Sequence, residues 1–169
     1  MTLSRTQIDS PVGRLDLIAS DDALVAVLWE RDRPDRVRLE PLVDAVGHPI
    51  LEMTARQLGE YFAGARTVFD IPLEFRGPDF QTSVWRALLT IPFGETRTYG
   101  QIAAQIGRPT ASRAVGAANG ANPISIIAPC HRVIGADGSL TGFAGGMENK
   151  RLLLNLEGAR HSRQDDLFG

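Results

Sequence analysis

Cys130 is the only cysteine of the 169-residue chain, and it stands in the run Ala128-Pro129-Cys130-His131-Arg132-Val133. A lone thiol forms no internal disulfide and no CxxC-type metal site, so its setting points to nucleophilic chemistry. With a free pKa of about 8.5, such a thiol is only slightly ionised at neutral pH, and a base or a favourable field must activate it. His131 is the adjacent candidate base. Side chains of neighbours on an extended chain point to opposite faces, so contact between the two requires a bend or a bridging water.

The elements that must position this pair are legible around it. After Asp79, a plausible N-cap, Phe80, Val84, Trp85, Leu88 and Leu89 form the apolar face of a helix that Pro92 stops, and Trp85 reads as core. Thr98-Tyr99-Gly100-Gln101 fits a capping box, which starts a second helix near Tyr99 that runs through Ile102, Ala103 and Ile106 to Gly107. A third helix begins near Thr110 or Ala111, giving helix, tight turn, helix, with the last as the recognition element. Its surface is made of small residues, Ala111, Ala114, Gly116, Ala117, Ala118 and Gly120, with one long side chain, Arg113. Small residues permit close approach in a narrow groove, and an arginine among them can enter a base stack. The same composition also suits a helix packed tightly in a core.

Asn122-Pro123 breaks that helix, and Asn122 is read as a hinge whose amide ties two chain segments together. Ile124 to Ala128 is expected to be a short apolar strand delivering Cys130 to its end. Val133-Ile134 followed by Gly135-Ala136-Asp137-Gly138 reads as a strand and hairpin turn, and Gly142 to Gly146 as a loop able to close over a small ligand. Glu148 to Glu157, with Leu152, Leu153 and Leu156, is a last helix ended by Gly158.

The first half of the chain reads differently. Pro11-Val12-Gly13 and Asp21-Asp22 are turn signals around Leu15, Leu17 and Ala19, which alternate with other residues, and Leu24 to Trp29 is apolar throughout, so a β-meander is expected from Ile8 to Trp29. Arg31 to Pro41 is charged and proline-punctuated, a surface loop. Ile50, Leu51, Thr54, Leu58, Tyr61 and Phe62 then give a helical apolar face, and Gly77-Pro78 a linker.

Charge is divided in the same way. Overall, 18 basic and 20 acidic residues give a net charge of -2, which by itself is unlike a nucleic-acid binder. Residues 1–79 carry 9 basic and 14 acidic side chains, whereas residues 80–135 carry Arg86, Arg97, Arg108, Arg113 and Arg132 against Glu95 alone. A phosphate backbone responds to the local field, so the central segment is where DNA would dock. The chain shows no apolar run near the ~18 residues of a membrane span and no secretory segment, which fits a cytoplasmic protein without a membrane partner.

Residues Phe80 to Gly158 resemble the catalytic domain of the 6-O-alkylguanine-DNA alkyltransferases, the methylated-DNA-protein-cysteine methyltransferases. The matching stretches are Pro-Cys-His-Arg-Val at 129–133, Arg-Ala-Val-Gly at 113–116, Gly-x-x-x-x-Tyr at 94–99, Asn-Pro at 122–123, Gly-Gly at 145–146 and Glu-Gly at 157–158. The resemblance implies an α/β (α+β) fold. A small N-terminal ribonuclease-H-like α/β domain, residues 1–78, precedes a mostly helical, helix-turn-helix (winged-helix-like) domain for DNA binding and alkyl transfer, residues 79–160, and a tail, 161–169.

The activity it implies is irreversible transfer of an alkyl group from 6-O-alkylguanine, and from 4-O-alkylthymine, in double-stranded DNA to Cys130, with base flipping and one turnover per molecule. Glu157 would orient His131, a water would carry the thiol proton, and Asn122 would hold the active-site backbone. Tyr99 would assist flipping and hydrogen-bond the leaving guanine. Arg113 would fill the gap in the stack, flanked on the DNA-facing surface by Ala114 and Gly116. Val133, Phe143 and Ala144 would line the substrate pocket. Two positions depart from the family's habit: Ala128 replaces a larger aliphatic residue and Phe143 a tyrosine, which bears on the range of alkyl groups accepted.

No cofactor is implied, and with His48 and His161 isolated, no zinc site is expected. A monomer is expected. Two other readings exist. A non-catalytic lesion-binding relative would lack Cys130, and a cysteine hydrolase would use Cys130 and His131 over many turnovers without needing Arg113. Gln164-Asp165-Asp166-Leu167-Phe168 resembles peptides that dock on the replication sliding clamp.

Overall fold

The alternation at Leu15, Leu17 and Ala19 and the apolar run from Leu24 to Trp29 build the centre of a sheet. In the computed structural model, which describes residues 2–140 and 142–159, strands β1 (Leu3–Ile8), β2 (Leu15–Ala19), β3 (Leu24–Trp29) and β4 (Leu42–Asp44) lie in the order β3-β2-β1-β4. The first three are antiparallel neighbours, with Leu17 opposite Thr6 and Val27, as a meander requires. Cross-strand partners share a face. Ile18 and Ala26 therefore lie together, and they pack with Leu3 and Val25 beneath Leu28, Leu39 and Leu42. Helix α1 (Pro49–Phe62) starts at His48, whose Nδ1 accepts from the Ile50 amide at 3.2 Å, and packs on β1, β2 and β3.

Strand β4 lies beyond the meander expected from sequence. It pairs parallel to β1, Ser4 opposite Val43, across a connection whose residues 31–41 are irregular as expected. A three-residue edge strand is too short for its alternation to register, and its partner is far away along the chain.

The chain divides into two compact units: one runs through Arg76 and takes in Pro123–Ser125, the other is Gly77–Asn122 together with the chain from Ile126. Within the first unit, Pro123–Ser125 is held by Val27 N–H donating to the Pro123 carbonyl at 2.9 Å and Trp29 Nε1 donating to Ser125 Oγ at 3.1 Å.

The second unit is helical. Helices α2 (Asp79–Leu88), α3 (Tyr99–Gln105) and α4 (Ser112–Gly120) bury Val84, Trp85, Leu88, Ile102, Ala103, Val115 and Ala118. Trp85 Nε1 donates to the Ala118 carbonyl at 2.8 Å, so its one polar atom is satisfied inside the core. The Trp85 ring also explains Gly77, where a Cβ would stand 2.8 Å from the indole. At α3 both halves of the capping box form: Thr98 Oγ1 accepts from the Gln101 amide at 3.1 Å, and Gln101 Oε1 accepts from the Thr98 amide at 2.8 Å. Short parallel strands β5 (Arg97–Thr98) and β6 (Val133–Ile134) pair Arg97 with Val133, which sets the start of α3 beside the chain that has just left Cys130. The last helix, α5 (Met147–Glu157), ends at Gly158 with φ 70°, the left-handed conformation that favours glycine.

Three sequence expectations are corrected here, the first at Asp79, which is not the N-cap of α2 but its first residue, behind Pro78. Ile124 makes only an isolated bridge, and residues 125–127 turn, with Ile126 at φ 74°; buried apolar runs of this length do not distinguish strand from turn. The turn after β6 forms, Gly135 N–H donating to the Ser139 carbonyl at 2.9 Å, but no returning strand follows among the described residues. On α5 the buried face is Lys150, Leu153, Leu154 and Glu157; of the three leucines that mark the helix in the sequence, Leu153 is buried while Leu152 and Leu156 are half-buried. No described helix is long and apolar enough to cross a membrane.

Candidate active site

Pro129 is what turns the chain into the site. Its φ of -80° and ψ of 68° form a tight turn in which the Cys130 amide donates to the Ala128 carbonyl at 2.7 Å. Cys130–Arg132 then closes a single 3₁₀ turn, with the Val133 amide donating to the Cys130 carbonyl. Cys130 and His131 are thus not on an extended segment, and the bend that cooperation between them demands is present. Cys130 is 4% exposed and His131 fully buried.

Two asparagines of one helix end hold this turn. Asn122 Nδ2 donates to the Ala128 carbonyl at 2.8 Å, and Asn119 Nδ2 donates to the Cys130 carbonyl at 3.3 Å. Asn119 sits in the last turn of α4, Asn122 just beyond it, and both are buried. The sequence pointed to Asn122 but not to Asn119, which reads there as one more polar residue in a small-residue helix.

Glu157 is the hub on the other side. Its Oε2 is 2.8 Å from His131 Nε2, while Arg132 Nε and Nη2 donate to Oε1 and Oε2 at 2.8 and 2.9 Å. Arg132 Nη1 donates to the Ile91 carbonyl at 2.6 Å, and the guanidinium carbon lies 5.9 Å from the centre of the Phe93 ring. Burial alone would raise the Glu157 carboxyl, but the hydrogen bonds from His131 and Arg132 outweigh it and hold the group well below the usual carboxylate range. Complete burial pushes the His131 imidazole below its ordinary pKa, and Glu157 offsets only part of that. The permanently charged guanidinium therefore keeps Glu157 ionised, while His131 is neutral at pH 7 and carries its proton on Nε2. Nδ1 is left with an unshared pair in a buried position and no hydrogen-bond partner among the described residues.

The signs of these shifts predict an acid response. Protonating Glu157 or His131 favours the unfolded chain, which binds those protons more readily, so the stability they confer is complete near pH 7 and is lost as pH falls. The loss begins below pH ~6.5, the ordinary histidine value, and deepens below ~4.3, the ordinary glutamate value. Urea midpoints measured from pH 7.5 to 4 should decline; a flat profile would contradict this electrostatic reading.

Lys150 was not anticipated at all. It is fully buried, and its Nζ donates to the Val133 carbonyl at 2.7 Å and lies 5.8 Å from the centre of the Phe143 ring. Both backbone groups of Val133 are accordingly engaged within the protein. Phe143 and Ala144 are half-buried in the loop before α5, where Gly146 N–H donates to the Phe143 carbonyl at 3.0 Å. Asn149 Nδ2 fastens the Gly145 carbonyl at 2.8 Å.

On α4, Arg113, Ala114, Ala117 and Gly120 are exposed, whereas Val115, Ala118 and Asn119 are buried. Of the small residues, Ala114, Ala117 and Gly120 thus face outward while Ala118 packs inward, so the helix has one exposed small-residue face and one core face. The half-buried Tyr99 ring lies 3.8 Å from where a Gly116 Cβ would stand, so glycine leaves ordinary contact distance there. The central positive charge is smaller than the residue count suggests: Arg132 is consumed by Glu157 and Arg97 is 3.1 Å from Glu95, leaving Arg86, Arg108 and Arg113 exposed. Gln164-Phe168 lies outside the described residues.

Comparison with known proteins agrees with this geometry. Residues 79–159 match the family model described as 6-O-methylguanine DNA methyltransferase, DNA binding domain, and residues 3–75 the one described as its ribonuclease-like domain. The methylated-DNA–protein-cysteine methyltransferase of Mycobacterium tuberculosis is 52% identical over 95% of this chain and 96% of its own. That of Methanosarcina acetivorans is 48% identical over 89% and 96%. Among solved structures, Mycobacterium tuberculosis OGT in complex with DNA superposes with a TM-score of 0.84 at 51% identity, covering 91% of this chain and 92% of that one. Matched in both halves and at this identity along nearly its whole length, the chain belongs to the 6-O-methylguanine DNA methyltransferase family.

Proposed function

We propose that this protein reverses alkylation damage in double-stranded DNA by moving the alkyl group of 6-O-alkylguanine, and of 4-O-alkylthymine, onto Cys130. The observation that carries the reading is the 2.8 Å contact between His131 Nε2 and Glu157, beside the only cysteine of the chain. With Nε2–H committed to a carboxylate, Nδ1 is the basic nitrogen, and one water between it and the sulfur can take up the thiol proton. The thiolate then attacks the alkyl carbon from the side opposite the guanine oxygen. The sulfur–carbon bond forms as the carbon–oxygen bond breaks, and the electron pair passes into the purine, which is protonated as it leaves.

Tyr99 donates a hydrogen bond to that departing base and crowds the phosphate so that the nucleotide swings out. Arg113, exposed among Ala114, Gly116, Ala117 and Gly120, fills the vacated place in the stack. Asn122, with Asn119, holds the carbonyls on either side of the nucleophile, so the sulfur is fixed while the base arrives. Val133, Phe143 and Ala144 bound the alkyl pocket. The relative solved in complex with DNA supports DNA as the partner. In this reading the protein acts as a monomer in the cytoplasm, and its tail at Gln164-Phe168 docks on the sliding clamp.

A thioether offers water no bond that is easily hydrolysed, so each molecule acts once. Titrating the protein with a duplex containing a single 6-O-methylguanine should show one lesion repaired per protein and no more at any incubation time. Continued turnover would instead favour a cysteine hydrolase.

A further inference from the structure

Ile126 is the one described residue other than glycine with a positive φ, 74°, and its side chain is buried. Branching at Cβ makes this left-handed conformation costly, so an isoleucine keeps it only where the chain on both sides is fixed. Ile126 stands four residues before the nucleophile. Relaxation of its φ would re-aim Ile127, Ala128, Pro129 and Cys130 together.

The downstream side is fixed by Asn122 and Asn119, at the Ala128 and Cys130 carbonyls. The upstream side is fixed within the first unit. Strand β3 is an edge strand of its sheet, and its outer edge takes up Pro123–Ser125. Val27 pairs in parallel with Ile124, and its amide donates to the Pro123 carbonyl at 2.9 Å. Two residues on, Trp29 donates through Nε1 to Ser125 Oγ at 3.1 Å. Trp29 and Ser125 are 5% and 1% exposed, so this bond is made away from solvent, on the residue joined directly to Ile126.

A buried indole N–H needs an acceptor, and a backbone carbonyl suffices, as that of Ala118 does for Trp85. At Trp29 the acceptor is instead a side-chain hydroxyl beside the strained residue. We propose that Trp29 and Ser125 are positioning residues for alkyl transfer: their hydrogen bond keeps Ile126 in its left-handed conformation and thereby aims the sulfur of Cys130 at the alkyl carbon. The first unit takes part in the reaction through the three residues of chain that it holds. This rests on Cys130 being the alkyl acceptor.

Displacement at carbon tolerates little misplacement, about 1 Å costing on the order of 10²-fold in rate. Ser125→Ala deletes the acceptor and little volume. In single-turnover repair of a duplex carrying one 6-O-methylguanine, the full-length variant should be slower by about tenfold or more at saturating protein, with a half-saturating concentration within about twofold of the parent's. Ser125→Thr keeps the hydroxyl and should recover most of the rate. Trp29→Phe should be about as slow as Ser125→Ala, and the double variant no slower than either, because all three lose the same bond. Parental speed in Ser125→Ala, or slowing factors that multiply in the double variant, would overturn the proposal.

A second readout separates the grip from repair. Without DNA, hydrogen exchange of the Cys130 amide, which donates to the Ala128 carbonyl, should quicken about tenfold in Ser125→Ala, while the Val84 amide in α2 keeps its parental rate. An equal change at both amides, or none at Cys130, would equally overturn it. Should the parent itself repair no 6-O-methylguanine, the functional reading fails, and the exchange experiment still decides whether Trp29 and Ser125 hold the nucleophile's turn.

Discussion

Cys130→Ala is expected to abolish alkyl acceptance entirely while leaving the fold and recognition of damaged DNA in place. The substitution removes one buried sulfur, for which a cost of about 1 kcal/mol is reasonable by analogy with other small deletions from packed interiors. The contacts that hold the turn do not depend on the sulfur: the Ala128 and Cys130 carbonyls are still gripped by Asn122 and Asn119, and His131 still meets Glu157. The surface of α4 that carries Arg113 is untouched. The variant should therefore bind a lesion-containing duplex and never repair it, which gel-shift and repair assays run side by side would read. Residual repair would mean that another group accepts the alkyl.

Glu157→Gln is expected to be damaging twice over. It leaves the Arg132 guanidinium buried without its anion, a change that costs about 3–5 kcal/mol in comparable buried pairs. Glutamine can still accept from His131 Nε2, but it no longer stabilises the imidazolium that forms when the thiol proton arrives. Loss of an effective general base slows reactions by about 10²- to 10⁴-fold. Urea unfolding gives the first effect, and single-turnover repair at a temperature where the variant remains folded gives the second. A variant as stable and as fast as the parent would show that the carboxylate is neither the anchor of Arg132 nor the support of His131.

Much of this arrangement is legible in the sequence. The capping box at Thr98 and Gln101 marked the start of α3 because both of its side chains have a defined partner one turn apart, and the periodicity around Val84, Trp85 and Leu88 located α2. Cys130 and His131 stand out by residue type and motif and Asn122 by its place before Pro123, whereas Glu157 is singled out only through the family resemblance. What escaped notice depends on contacts distant in sequence. Leu42–Asp44 is a strand only because β1 lies beside it. Ile126 turns where an apolar run suggested extension, and Pro123–Ser125 joins the first unit rather than the helices on either side of it.

Lys150 and Arg132 were missed for a different reason: a charged residue looks solvated until its partner is known. The one available signal was the spacing of Lys150 from Leu153, Leu154 and Glu157, which puts a lysine on the buried stripe of α5. The same ignorance of partners inflated the positive charge of residues 80–135, where Arg132 was counted as a surface cation.

The account stands most directly on where the transferred carbon ends up. Peptide mass spectrometry after incubation with a duplex carrying one 6-O-methylguanine should find a single added methyl group on the peptide containing Cys130. It should still be there after prolonged incubation, and it should be missing from Cys130→Ala. A methyl group on any other residue, or one that disappears from Cys130 with time, would contradict it.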